Sequence, residues 1–143
     1  MKLCHLSTKD TEGWERVMDT REAKRKEQVE ERYNCEWQPY KSDFPRIKAV
    51  IGLVGKGKRV LDIGCYDGTI AKAIADKGND VYGMDFSSVA VDLARRKGIK
   101  AFQGDGEGNS FPFEKHFFDV IVAGEIIEHV YDTDAFLERL KLL

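Results

Sequence analysis

The sequence of 143 residues has few cysteines, few prolines and no long apolar run. Its three cysteines, Cys4, Cys35 and Cys65, form no Cys-x-x-Cys pair, which predicts free thiols in a reducing compartment rather than disulfides or a zinc site. No segment approaches the ~20 apolar residues that a membrane-spanning helix requires, and the N-terminal residues lack the apolar centre of a signal peptide. We therefore predict a cytoplasmic protein that does not enter a membrane.

The sequence also lacks an excess of charge of either sign, because 23 lysines and arginines stand against 25 aspartates and glutamates. A net charge of −2 gives no reason to expect tight, sequence-independent binding to nucleic acid or to an acidic membrane surface. We therefore expect a small molecule rather than a nucleic acid as the binding partner.

The chain is predicted to divide into a helical extension, residues 1–57, and a core, residues 58–143. Residues 9–36 alternate acidic and basic side chains, with sparse apolar residues at helical spacing, which predicts an exposed helix or helix pair. A short helix is predicted over about 45–54. Between them lie aromatic residues that either pack ordinarily or form a lid over a cofactor: Trp37, Tyr40 and Phe44.

From residue 58 onward, short apolar segments alternate with segments of helical periodicity, which predicts an α/β fold with a parallel sheet. The predicted strands are 59–63, 80–85, 99–104 and 117–125. The predicted helices are 68–77, one between the N-cap Ser87 and Gly98, and one that begins at Asp132 or Thr133. Their predicted buried faces carry Ile70, Ala71, Ile74 and Ala75; Val89, Ala90, Leu93 and Ala94; and Phe136, Leu137 and Leu140.

The fourth strand would leave one edge of the sheet unpaired. A bare apolar edge promotes aggregation. We therefore expect either that a partner, such as a second copy of the chain, covers this edge or that the sequence is a fragment of a longer protein, and we favour the fragment.

The turn after the first strand, within VLDIGCYDGT, carries two glycines and two carboxylates. Three residues, Cys65, Tyr66 and Asp67, separate Gly64 from Gly68, and this spacing does not fit the Gly-x-Gly-x-x-Gly pattern of dinucleotide sites. A carboxylate ~4 Å from a phosphate costs about 4 kcal/mol at an effective dielectric constant of 20. Asp62 and Asp67 therefore favour a cationic ligand without phosphates.

Further acidic residues follow the next two strands. Asp85 ends the second strand, where a carboxylate can accept ribose hydroxyls, and Phe86 offers an apolar face for a base. Asp105, between Gly104 and Gly106, follows the third strand. Each residue alone also suits a turn or loop, but their common position at the carboxyl ends of successive strands indicates a nucleoside site.

Four segments within residues 45–143 carry a family resemblance: VLDIGCYDG, VYGMDFS, GDGEG with FPF, and FFDVIVAGEIIEHV. On these motifs the chain resembles the class I S-adenosylmethionine-dependent methyltransferases of the type 11 group. It departs from them at Tyr66, where the family has a third glycine. The resemblance implies a Rossmann-like sheet in the order 3-2-1-4, with the family's later strands absent, and methyl transfer to oxygen or nitrogen of a small-molecule acceptor.

The resemblance also implies roles for individual residues. Asp62 and Asp67 would lie near the amino group of S-adenosylmethionine, and Asp85 would hold its ribose. Phe86 and Asp105 would flank the adenine. The full implied cofactor site is Asp62, Gly64, Cys65, Tyr66, Asp67, Gly68, Asp85, Phe86, Gly104, Asp105, Gly106 and Glu125.

Glu125 and His129 are the candidate catalytic residues, because Glu125 would face the methyl group or acceptor and His129 follows the fourth strand. On a helix, Glu125, Glu128 and His129 would share one face and suit Mg²⁺, Mn²⁺ or Zn²⁺. A base or substrate contact and a purely structural role are alternatives, and our predicted site includes no metal. The other histidine near the sheet, His116, is expected on the surface.

Three functions stay open at this level. The leading one is a methyltransferase acting on a small molecule. The second is a cofactor-binding fragment, or one subunit of a split enzyme, without activity of its own. The third, metal-assisted RNA 2′-O-methylation, is the weakest because the basic cluster Lys24-Arg25-Lys26 is flanked by acids.

Overall fold

The computed structural model describes residues 45–106, 111–124 and 126–143. The predictions for the extension before residue 45, including Trp37, Tyr40 and Phe44, and those for Glu125 lie outside the described residues. In the described ranges, no helix is long and apolar enough to cross a membrane.

The strands form one parallel sheet in the order β3-β2-β1-β4, which confirms the predicted order. Along the chain, the elements are α1 Pro45–Val54, β1 Arg59–Ile63, α2 Thr69–Ala75, β2 Asp80–Asp85, α3 Ser88–Arg96, β3 Lys100–Gln103, β4 Val120–Val122, a short 3₁₀ helix Ile127–His129, and α4 Thr133–Leu140. The ends of β1 and β2 lie side by side, with Ile63 opposite Met84. The carboxyl ends of both central strands therefore open onto the same edge of the sheet.

Local signals in the sequence explain where the helices begin and end. The Ser87 hydroxyl accepts the Ala90 N–H at 3.3 Å at the start of α3, and the Asp132 carboxylate accepts the Ala135 N–H at 2.9 Å at the start of α4. These contacts confirm the predicted N-cap Ser87 and select Asp132 from the two predicted alternatives, Asp132 and Thr133. Gly98, with φ +83°, lies just beyond α3 in the left-handed conformation that glycine adopts most readily.

Apolar side chains cover both faces of the sheet, since successive residues of a strand point to opposite sides. On β1, Val60 packs with the apolar residues of α1, α2 and α3. Leu61 and Ile63 pack on the other face, against Phe136 and Leu140 of α4. Aromatic rings in mutual contact extend this second layer: Tyr82, Phe102, Phe113, Phe117 and Phe118.

Two residues predicted on buried helix faces are in fact exposed. Val89 of α3 is 38% exposed and Leu137 of α4 is 41% exposed, whereas Val91 is buried. On α3, the apolar residues form one broad face, and Val89 and Val91 lie at its opposite margins, so the pattern does not decide which margin is buried. The side that packs is the one that brings the small residues Ala90 and Ala94 inward.

The fourth strand is shorter than the predicted range 117–125. Just before β4, the N–H of Asp119 donates to the carbonyl of Arg59 of β1 at 2.8 Å, whereas the N–H of Phe118 donates to the carbonyl of Leu143 at 2.9 Å. A groove of about 750 Å³ runs beside β4 and α4, lined in part by Ile121, Leu137 and Leu140. Among the described residues, no strand pairs with the outer edge of β4, and its coverage by a second copy stays a prediction.

Candidate functional site

The glycine-rich loop that follows β1 is attached to the end of β2 by backbone hydrogen bonds. The N–H groups of Gly64 and Cys65 both donate to the carbonyl oxygen of Met84, at 2.8 and 3.1 Å. Gly64 has φ +74°, a left-handed conformation that glycine adopts without strain. The loop therefore leaves the sheet and at once folds over the carboxyl end of β2.

Asp85, the last residue of β2, ties the loop to this strand through its side chain. Its carboxylate accepts the N–H of Tyr66 at 2.8 Å and the N–H of Ser87 at 2.9 Å. Burial raises the pKa of Asp85, and the N–H groups of Ser87, Tyr66 and Phe86 act in the opposite direction. A carboxylate offers about four acceptor positions, so Asp85 has capacity left for ligand hydroxyl groups.

Asp62 lies on β1 beside Asp85 and is 3% exposed. Burial, and then the negative charge of Asp85, raise the pKa of Asp62 to about 7. In the part of the chain that the structure describes, its Oδ2 atom is buried without a hydrogen-bond partner. An unsatisfied buried acceptor costs about 1–3 kcal/mol, and a bound ligand with a cationic N–H donor would satisfy it. This atom makes the site fit the ammonium group of S-adenosylmethionine.

Asp67 is buried within the loop, but its two carboxylate oxygens already have partners. Oδ1 accepts the N–H of Thr69 at 3.0 Å, and Oδ2 lies 2.7 Å from the ammonium nitrogen of Lys97. Lys97 therefore offsets most of the negative charge that Asp67 was expected to present to a cationic ligand. Asp62 and Asp85, the other two buried aspartates, form no ion pair with a lysine or arginine among the residues that the structure describes.

The remaining residues of the loop act through backbone conformation and packing. Tyr66 has φ +49°, so it takes the left-handed conformation at the position where the family has its third glycine. The Cys65 side chain is 4% exposed and belongs to the apolar core, where burial first, and then the charges of Asp62, Asp85 and Asp67, raise the pKa of its thiol. A Cβ atom on Gly68 would lie 2.8 Å from the Cβ of Ala94, which shows how closely the loop packs on α3.

The segment after β3 completes the described part of the site. The N–H of Gly104 donates to the carbonyl of Asp85 at 2.9 Å, which places this segment against the end of β2. A Cβ atom on Gly106 would lie 2.8 Å from the Cδ1 of Ile126, so this turn also packs on the segment after β4. Phe86 and Asp105 are both half-buried at this edge. Their contact with adenine stays a prediction.

Glu128 and His129 lie in the short 3₁₀ helix after β4, and both are exposed. The prediction placed Glu128 and His129 on one face of an α-helix with Glu125. From Ile127 to His129 the structure has a single turn of 3₁₀ helix instead. In the described ranges, no three histidine, cysteine or acidic residues come together as metal ligands. His116 is exposed, as predicted.

The sequence prediction missed Lys97, whose ammonium group contacts both Asp67 and the Thr69 hydroxyl, at 2.7 and 2.6 Å. It also missed Gln103, whose side-chain amide donates to the carbonyl of Phe86 at 3.1 Å. The Asp67–Thr69 contact has a local signal, since aspartate commonly accepts an N–H at a helix start. Lys97 has none, because the fold brings it to the loop from 30 residues away.

Comparison with known proteins agrees with this geometry. The chain is 35% identical over 88 residues to the ubiquinone biosynthesis O-methyltransferase of Azorhizobium caulinodans, covering 59% of this chain and 35% of that protein. It is 30% identical over 117 residues to the protein of the same name from Bordetella avium, covering 76% of this chain and 48% of that protein. The chain thus spans less than half the length of either relative.

A solved structure, the YcgJ protein of Bacillus subtilis, superposes with a TM-score of 0.58 at 26% identity, covering 66% of this chain and 43% of that one. The family described as methyltransferase domain matches residues 61–142, which include the last three residues of β1, the glycine-rich loop, Asp85 and α4. This match covers more than half of the sequence, and the chain belongs to the methyltransferase domain family.

Proposed function

We propose that this chain is the cofactor-binding part of an S-adenosylmethionine-dependent methyltransferase that acts on an oxygen atom of a small molecule. The observation that carries the cofactor assignment is the pair of buried carboxylates, Asp62 and Asp85, under the glycine-rich loop at the carboxyl ends of β1 and β2. The names of the two curated relatives, both O-methyltransferases, support oxygen as the accepting atom.

When bound, S-adenosylmethionine supplies a methyl group carried on a positively charged sulfur. Asp85 would accept the ribose hydroxyls while its bond to Tyr66 holds the loop in place. Asp62 would accept a hydrogen bond from the ammonium group through its buried Oδ2 atom. The residues of this chain thus bind and orient the cofactor, and orientation of the reactants accounts for much of the rate that enzymes achieve in such transfers.

A second candidate is a chain that binds the cofactor without turnover by itself. The length comparison favours it, since the chain spans 35% and 48% of the two relatives. Both candidates share the same cofactor site, so binding is tested before turnover.

Calorimetric titration with S-adenosylhomocysteine, the demethylated cofactor, tests the assignment on Asp85→Asn. Loss of hydrogen bonds to a charged group costs about 1.5–3 kcal/mol, which predicts binding weaker by about 10- to 100-fold. Asp80→Asn is the matched control, because Asp80 begins the same strand and pairs with Lys100 at its opposite end. We expect Asp80→Asn to bind like the wild-type chain.

Melting of Asp85→Asn is followed in parallel, because Asp85 also holds the N–H of Tyr66. Binding is compared at a temperature at which all three proteins are folded. Absence of binding by the folded wild-type chain, or equal losses in Asp85→Asn and Asp80→Asn, would refute the proposed site.

A further inference from the structure

The second half of the glycine-rich loop is attached to α3 by contacts separate from those of Asp85. Lys97 follows the last residue of α3, and its ammonium nitrogen lies 2.7 Å from Oδ2 of Asp67 and 2.6 Å from Oγ1 of Thr69. Asp67 is 1% exposed, whereas the Lys97 side chain is 36% exposed. One half-exposed cation thus neutralises a buried carboxylate inside the loop.

This carboxylate also starts helix α2. Gly68 is the N-cap residue and has no side chain to accept a helix N–H, so Oδ1 of Asp67 accepts the N–H of Thr69 at 3.0 Å instead. Gly68 itself lies against Ala94 of α3, where a Cβ atom would meet the Ala94 Cβ at 2.8 Å and its Cα at 2.9 Å. The end of α3 therefore contacts the loop through packing and through charge.

The loop is consequently held at two places. Its first half is held by β2, through the Met84 carbonyl and the Asp85 carboxylate. Its second half is held by α3, through Ala94 and Lys97. Loss of either attachment would free part of the backbone that approaches the cofactor.

We propose that Lys97 is a positioning residue that fixes the second half of the glycine-rich loop, through Asp67 and Thr69, in the geometry that binds the cofactor. The inference rests on the proposed function, since the loop is the cofactor loop.

The test compares Lys97→Met, Lys97→Arg and the control Lys100→Met. Lys100 is also a surface lysine, with its ammonium nitrogen 2.6 Å from Oδ1 of Asp80, but it begins β3 at the opposite end of the sheet. Calorimetry measures the dissociation constant of S-adenosylhomocysteine at a temperature well below the melting point of every variant. A purely structural lysine would lower the melting temperature and leave this constant unchanged.

We expect Lys97→Met to weaken binding by about tenfold, equivalent to about 1.4 kcal/mol. Lys97→Arg, which keeps the cation, should restore most of the affinity, and Lys100→Met should bind like the wild-type chain. A dissociation constant for folded Lys97→Met within about twofold of the wild-type value would overturn the proposal. If Lys97→Met does not fold, Asp67→Asn/Lys97→Met removes the uncompensated charge and is measured in its place, with the same weakening expected.

Hydrogen exchange of the ligand-free protein separates this proposal from the proposed function. Lys97→Met should speed the exchange of the loop amides from Asp67 to Thr69, and Lys100→Met should not. If the wild-type chain binds no S-adenosylhomocysteine, the proposed function fails, and this exchange pattern alone decides whether Lys97 fixes the loop. Equal exchange in both variants would show that it does not.

Discussion

The carboxyl group of Asp62 couples the stability of the ligand-free protein to pH. Its pKa is about 7 in the folded chain, against an ordinary value of 3.8, because of its burial and then the charge of Asp85. The folded state therefore retains a proton that the unfolded chain releases, so the free energy of unfolding falls as pH rises from about 4 to about 7 and levels off above. At 1.36 kcal/mol for each pKa unit, the whole effect is about 4 kcal/mol.

Replacement of Asp62 by asparagine removes this titration. The free energy of unfolding of both proteins is measured in urea at pH 5.5 and at pH 8. In the difference between the two proteins, the pH-dependent contributions of titratable groups that both contain cancel. We expect the variant to gain about 2 kcal/mol of unfolding free energy relative to the wild-type chain between these pH values. Asp92→Asn is the control, because Asp92 lies on the exposed side of α3 with its side chain 64% accessible.

The control should show no pH-dependent difference from the wild-type chain over this interval. A difference between Asp62→Asn and wild type that stays constant to within about 0.5 kcal/mol from pH 5.5 to pH 8 would refute a buried, proton-retaining Asp62.

Three further predictions concern the ligand and the packing of the fold. The carboxyl group of Asp62 must lose its proton to bind a cation. Calorimetry should therefore show an affinity for S-adenosylmethionine that rises by up to about tenfold per pH unit below pH 7 and is constant above pH 8. An affinity independent of pH would contradict this. Gly68→Ala should lower the free energy of unfolding by more than Gly78→Ala in chemical denaturation. Both glycines have positive φ, which costs alanine about 1–2 kcal/mol, but only Gly68 has atoms of α3 within 3 Å of the added Cβ. Phe136→Ala should cost about 3–5 kcal/mol in the same assay, because its side chain is 0% exposed, whereas Leu137→Ala, at a position 41% exposed, should cost much less; equal losses would contradict the packing of α4.

Local sequence signals predicted most of the fold. The strand ranges 59–63 and 80–85 agree with β1 and β2, because short apolar segments bounded by turn residues leave little choice of boundary. Ser87, and Asp132 or Thr133, were predicted as helix caps, and Ser87 and Asp132 act as such, since capping depends only on residues within one turn.

Contacts made across the fold were not predictable in the same way. Asp67 was predicted to favour a cationic ligand. No residue near it in the sequence indicates its ion pair with Lys97, which lies at the far end of α3. Val89 was predicted on the buried face of α3 but is exposed. The side of α3 that packs inward depends on the close approach of Gly68 to Ala94. The apolar segment 117–125 predicted a longer strand than β4, and the contact of the Phe118 N–H with the Leu143 carbonyl has no signal near Phe118 in the sequence.

Selectivity between a cationic nucleoside and phosphate-bearing nucleotides tests the assignment of this site most directly. The measurement is calorimetric titration of the wild-type chain at pH 8 with S-adenosylmethionine, NAD and ATP. A phosphate placed ~4 Å from one of the buried carboxylates would lose about 4 kcal/mol, so NAD and ATP should bind weaker by about 1000-fold or escape detection. Binding of either nucleotide as tight as that of S-adenosylmethionine would contradict a site built on Asp62 and Asp85 for a cation.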